Sequence, residues 1–153
     1  MKIIITVNGK RIQAEVPAHQ TLLEFLRMQG YKSVKCGCES TNCGLCTVWM
    51  DEFPVLSCSV PMGRADGHSI LTLEGVEKEA KEFADFMARE GAEQCGFCSP
   101  GLIMQVLAMK HEDRSWTDEE IRHWLAGNLC RCTGYMGQLR AIKAWLSKGG
   151  DTV

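Results

Sequence analysis

Nine cysteines stand at positions 36, 38, 43, 46 and 58, then at 95, 98, 130 and 132, and no other feature of the 153-residue chain limits its fold so tightly. An odd number closes no set of disulfides. Buried structural cysteines scatter along strands and helices, whereas here they crowd a polar loop, Glu39-Ser40-Thr41-Asn42. In a reducing compartment, thiols grouped in this way read as metal ligands or redox catalysts. Met1 to Lys10 carries only the short apolar run Ile3–Val7, which predicts neither a secretory signal nor a membrane span and favours a cytoplasmic protein. Seventeen Lys and Arg against nineteen Asp and Glu leave a net charge of -2, with none of the basic surplus of a nucleic-acid binder.

The pattern between the cysteines predicts an α+β chain in two parts. Lys2–Val7 is an apolar strand, Asn8-Gly9 a tight turn, and Arg11–Val16 an alternating second strand. Thr21 with Glu24 forms a capping box ahead of Leu22, Leu23, Phe25 and Leu26, and Gly30 stops that helix. Three short strands follow at 47–50, 55–58 and 70–73, separated by Asp51–Pro54 and by the Gly- and Asp-containing Met62–His68. One helix across a small mixed sheet, a β-grasp arrangement, covers these elements most simply. Beyond residues 75 to 80 the apolar period becomes helical, with four helices expected. Their apolar positions are Ala80 to Met87, Leu102 to Leu107 after Ser99-Pro100, Ile121 to Leu125 after the capping box Thr117/Glu120, and Leu139 to Leu146. The expected units are 1–76 and 77–153, and the tail Gly149–Val153 is expected to fray.

Cys38, Cys43 and Cys46 read C-x4-C-x2-C, and Cys58 follows after eleven residues. This is the plant-type [2Fe–2S] spacing with a distant fourth thiolate, expected at a strand end. Gly37 and Gly44 supply the backbone freedom to curl a loop around a cluster. Cys95-x2-Cys98 and Cys130-x-Cys132 converge if the two helices between them return the chain to its start. Cys98 precedes one helix and Cys132 lies shortly before another, so two helix N-termini would favour an anionic group there. Zinc is the rival at both places, although C-x-C within one zinc tetrahedron is uncommon. Cys36 stays outside the ligand set, since using it would give C-x6-C.

The strings Val34-Lys35-Cys36-Gly37-Cys38, Cys43-Gly44-Leu45-Cys46-Thr47-Val48, Leu73-Glu74-Gly75, Gln94-Cys95-Gly96-Phe97-Cys98-Ser99-Pro100-Gly101 and Asn128-Leu129-Cys130-Arg131-Cys132-Thr133-Gly134-Tyr135 run through nearly the whole chain. In this order they resemble the iron–sulfur subunit of the molybdenum hydroxylases, the xanthine dehydrogenase and aldehyde oxidoreductase family. The resemblance implies a plant-ferredoxin-like domain and an all-α four-helix domain, each with a [2Fe–2S] cluster. It also implies a large partner subunit holding a molybdopterin-type molybdenum cofactor and an FAD-binding partner that receives the electrons. Gln94 and Cys132 would approach the pterin, and the complex would oxidise a purine-like N-heterocycle or an aldehyde. Thr41 stands where the family usually has Gly, and Ser99 where it usually has Thr.

His19, His68, His111 and His123 lack Cys or carboxylate neighbours at ligand spacing and read as surface or packing residues. Trp116, Trp124, Trp145 and the methionines read as helix packing or subunit contacts. No phosphate loop, nucleophile elbow or acid pair is present, so the chain offers no substrate site of its own. A free-standing two-cluster ferredoxin and a zinc-stabilised interaction module are the two other readings.

Overall fold

The computed structural model describes residues 1–112 and 114–148; the expectation for Gly149–Val153 lies outside them. β1 (Lys2–Val7) and β2 (Lys10–Glu15) pair antiparallel through a two-residue turn. Asn8 (φ 50°) and Gly9 (φ 78°) both take the left-handed backbone that matches the twist of a hairpin. Ile3, Ile5 and Val7 alternate inward from β1. α1 (Leu22–Met28) lays Leu22, Leu23, Phe25 and Leu26 on that face, and the Thr21/Glu24 capping box starts it as expected. With β3 (Thr47–Met50), β4 (Phe53–Leu56) and β5 (Ser69–Leu71), the five-stranded sheet has the order β2-β1-β5-β3-β4, β1 and β5 running parallel. This mixed sheet under one crossing helix is the expected β-grasp.

Three details differ from expectation. The turn after β3 (Thr47–Met50) needs only Asp51 and Glu52, both at positive φ, so Phe53 and Pro54 belong to β4 (Phe53–Leu56). Pro54 is tolerated because β4 is an edge strand. Cys58 therefore lies beyond the strand, in a 3-10 turn over Ser57–Ser59 that Ser57 pins by donating Oγ–H to the Cys46 carbonyl at 2.7 Å. Met62–Ala65 forms a short helix, α2, behind Pro61. β5 stops at Leu71 because Thr72 turns away, its N–H bonded to the Asn8 side chain at 2.9 Å.

The helical part consists of α3 (Glu77–Arg89), α4 (Ser99–His111), α5 (Asp118–Trp124) and α6 (Met136–Lys148). α4 is buried on most sides, and Leu102, Met104 and Met109 meet Phe83, Ile121 and Trp145 in one core. Phe83 and Trp145 meet edge to face with ring centres 5.3 Å apart.

Trp49 joins the two parts. It leaves β3 on the face away from the sheet's own core, is buried among the helices, and donates its indole N–H to the Met104 carbonyl at 2.8 Å. Below it the loops touch backbone to backbone. A Cβ on Gly101 would sit 2.5 Å from the Gly44 carbonyl oxygen, and one on Gly44 would sit 2.3 Å from that of Gly127. Gly101→Ala is expected to lower stability by about 1–3 kcal/mol. Gly127→Ala, whose Cβ meets nothing within 4 Å, should stay within about 0.5 kcal/mol of the parent. Chemical denaturation of the two variants measures the difference, and equal midpoints would contradict the close approach.

Candidate metal centre

The loop between α1 and β3 carries four cysteines, of which Cys38, Cys43 and Cys46 are expected ligands. Its neck is closed by the Lys35 N–H on the Leu45 carbonyl (3.3 Å) and by Thr47, which bonds the Gly44 carbonyl through both N–H (3.2 Å) and Oγ–H (2.6 Å). Gly44 takes φ 75°, and Thr41 takes φ 58°, a left-handed conformation strained for a β-branched residue. Inside the loop Cys38, Cys43 and Cys46 come together with Cys58 from the 3-10 turn, close enough that their thiols act on one another. Backbone N–H groups of Ser40 and Asn42 hold the Cys38 thiol down to about 6, while burial and the neighbouring Cys46 push Cys58 up to about 12. Burial also raises Cys43. Cys36 lies outside this group, exposed, with its thiol 3.8 Å from the Cys38 carbonyl.

In the helical part Cys95 and Cys132 lie 3.6 Å apart, and Cys130 packs against the buried cluster that holds Cys98. Cys98 is the N-cap of α4. The Cys130–Cys132 loop reaches α6 through Gly134 and Tyr135, both at positive φ, and the Tyr135 hydroxyl accepts the Cys130 N–H at 2.9 Å. Burial and Cys130 push Cys98 up to about 12. Burial also raises Cys130, but the Thr133 hydroxyl at 3.2 Å and the N–H groups of Cys132 and Thr133 more than reverse it, leaving Cys130 lowered. Gln138 in the first turn of α6 donates Nε2–H to Cys98 at 3.9 Å. Ser99 bonds Glu93 at 3.1 Å.

The Cys95–Cys132 separation of 3.6 Å has a chemical meaning. With a metal–sulfur bond of about 2.3 Å, two thiolates on one tetrahedral ion stand about 3.8 Å apart. Each group offers four cysteine thiolates, the donor set of a [2Fe–2S] rhomb, so the residues present fit that group. The two quartets are neighbours, because Cys43, Leu45 and Cys98 pack together with Cys38 and Cys130 against them. The Leu129 N–H also bonds the Cys43 carbonyl at 2.9 Å, joining a residue adjacent to Cys130 directly to the other loop. Gln94, Cys95 and Cys132 are exposed, as are the large apolar Phe97, Leu129, Tyr135 and Met136 of the same segments.

Two family models match: a 2Fe-2S iron-sulfur cluster binding domain over residues 5–82 and a [2Fe-2S] binding domain over 72–143. The xanthine dehydrogenase iron-sulfur-binding subunit of Escherichia coli O157:H7 is 47% identical over 134 residues, covering 85% of this chain and 84% of that one. The chain belongs to the iron–sulfur subunits of the molybdenum hydroxylase family. The nicotinate dehydrogenase small FeS subunit of Eubacterium barkeri is 40% identical, with 92% of each chain covered. Quinoline 2-oxidoreductase from Pseudomonas putida 86 superposes with a TM-score of 0.87 at 35% identity, covering 99% of this chain and 98% of that chain. Aldehyde oxidoreductase from Desulfovibrio gigas gives the same score at 36% identity, this chain spanning 18% of it. The chain is thus an electron-transfer subunit of a molybdenum hydroxylase with [2Fe–2S] groups, and the molybdenum cofactor sits on a larger partner. No described helix is long and apolar enough to cross a membrane.

The remaining sequence expectations divide by distance along the chain. Trp145 is buried in α6 and Trp124 ends α5 as expected, whereas Trp116 lies in the loop ahead of α5, off any helix, where it meets Trp124 edge to face with centres 5.3 Å apart. His68 bonds Asp51, a carboxylate seventeen residues away that spacing does not reveal, and His111 stacks edge-on against Trp49. Spacing gives no sign of the sulfur donors Thr133 and Gln138, although Thr133 lies inside the Cys130–Tyr135 motif. Thr41→Gly should relieve the left-handed strain and stabilise the iron-loaded protein by about 1 kcal/mol. A rise in the denaturation midpoint checks this, and an unchanged or lower midpoint would contradict it.

Proposed function

We propose that Cys38, Cys43, Cys46 and Cys58 hold one [2Fe–2S] cluster in a domain spanning 1–76, and that Cys95, Cys98, Cys130 and Cys132 hold a second in a domain spanning 77–153. The observation that carries this reading is the gathering of eight sulfurs into two groups of four, one around the loop and turn that carry Cys38 to Cys58 and one where Cys95 and Cys98 meet Cys130 and Cys132. When bound, each cluster takes up and releases one electron at a time. Gln94 and Cys132, exposed on the outer side, meet the pterin on the large subunit, Gln94 through its amide and Cys132 as both ligand and hydrogen-bond partner. The Leu129–Cys43 hydrogen bond carries the coupling inward, and the ferredoxin-like side passes electrons to an FAD-binding subunit. Xanthine, nicotinate and caffeine in the relatives' names are N-heterocycles, which supports a purine-like or related heterocycle over an aldehyde as the substrate of the complex. A cytoplasmic location suits nine free thiols, five of them in or beside one loop and its adjoining turn.

Metal analysis of the anaerobically purified assembly should find about four iron and four labile sulfide per chain, together with molybdenum and flavin on companion subunits. Stoichiometric zinc in their place would refute the assignment. Two EPR signals are expected on reduction, with Cys43→Ser removing one and Cys95→Ser the other. Loss of both signals, or of neither, in a single variant would refute two separate clusters.

A further inference from the structure

Gln138 points inward from the first turn of α6 and is 3% exposed. Leu102, Ile121 and Leu139 line the same cavity of about 380 Å³, as do the polar Arg122, Asn128 and Tyr135. A buried amide is costly unless hydrogen-bonded. The acceptor its nitrogen reaches is the Cys98 sulfur, 3.9 Å away. Thr133 places a second donor, at 3.2 Å, on Cys130. Both donors therefore serve the inner pair. Among the described residues, the outer pair of Cys95 and Cys132 receives no side-chain hydrogen bond except from one thiol to the other. The inner pair also packs beside Cys43 and Leu45 of the other loop.

We propose that Gln138 is a positioning residue that sets the potential of the helical-part cluster: with Thr133 it aims hydrogen-bond donors at the thiolates of one iron only, the inner one. This rests on the ligand assignment proposed above. Reduction adds one electron to the cluster and converts one ferric ion to ferrous, with no bond made or broken and no proton moved. The electron comes from the partner's molybdenum centre or, in a titration, from dithionite. Added negative charge strengthens an N–H···S or O–H···S bond, so donors on a thiolate stabilise the reduced form and raise the potential. Donors on that side alone would also favour placing the added electron toward Cys98 and Cys130, which pack beside Cys43 of the other loop.

Redox titration of the whole complex, followed by EPR, tests this with Gln138→Leu and with Gln138→Met, which retains a long unbranched side chain. In each, the signal that Cys95→Ser abolishes should become about tenfold harder to reduce, a fall in midpoint of about 59 mV for a one-electron couple. The signal that Cys43→Ser abolishes should not move. An unchanged midpoint, or an equal fall in both, overturns the proposal. Because both signals and about four irons per chain would persist, the cluster assignment would survive that failure. Should both variants lose the helical-part signal, the unaltered complex labelled with ¹⁵N in its glutamine side chains decides. Pulsed EPR of that signal must then show a ¹⁵N coupling, and its absence overturns the role of Gln138.

Discussion

A single peptide hydrogen bond, from the Leu129 N–H to the Cys43 carbonyl, joins the two sulfur-bearing loops, and the surrounding structure holds that contact in place. Electron transfer between separate centres weakens steeply with distance, so the loops gain from meeting backbone to backbone. Gly44 and Gly101 permit it, since a Cβ at either would overlap a carbonyl of the opposing loop. Trp49 holds the approach from one side by plugging the sheet into the helical core. The small sheet and the four helices thus serve as a frame that keeps two loops at a fixed, short separation.

The sulfur environments are unequal, and the inequality is local. Cys38 lies among free backbone N–H groups and is held low, whereas burial carries Cys58 and Cys98 to about 12. Such buried thiols keep their protons at neutral pH until iron displaces them, so cluster loading releases protons and is favoured as pH rises. Loading must also complete the core near the loops, because Cys43, Cys46 and Cys98 are themselves buried residues.

Much of this was legible in the chain. The Asn8-Gly9 hairpin, both capping boxes, the change from a strand to a helical period and the cysteine spacings are local signals, each decided within a few residues. The places where expectation and structure part are non-local. Cys58 belongs to a 3-10 turn because Ser57 reaches back to the Cys46 carbonyl, and β5 ends early because Asn8 captures Thr72. Thr41, where the family usually has Gly, does sit at positive φ, so that departure is borne as strain within an otherwise familiar loop.

The sequence alone determined the kinds of ligand, their number and their grouping along the chain, because spacing within a loop or a helical turn limits which sulfurs can share a metal. Only the tertiary structure decided that Cys95 meets Cys132, that Cys98 and Cys130 face the other loop, and that Gln138 and Thr133 serve those two alone. Those outcomes depend on the packing of α6 against the Cys95–Cys98 segment and of β3 against α4, contacts between residues dozens of positions apart. No periodicity or spacing encodes them; they follow from how the buried faces fill space together.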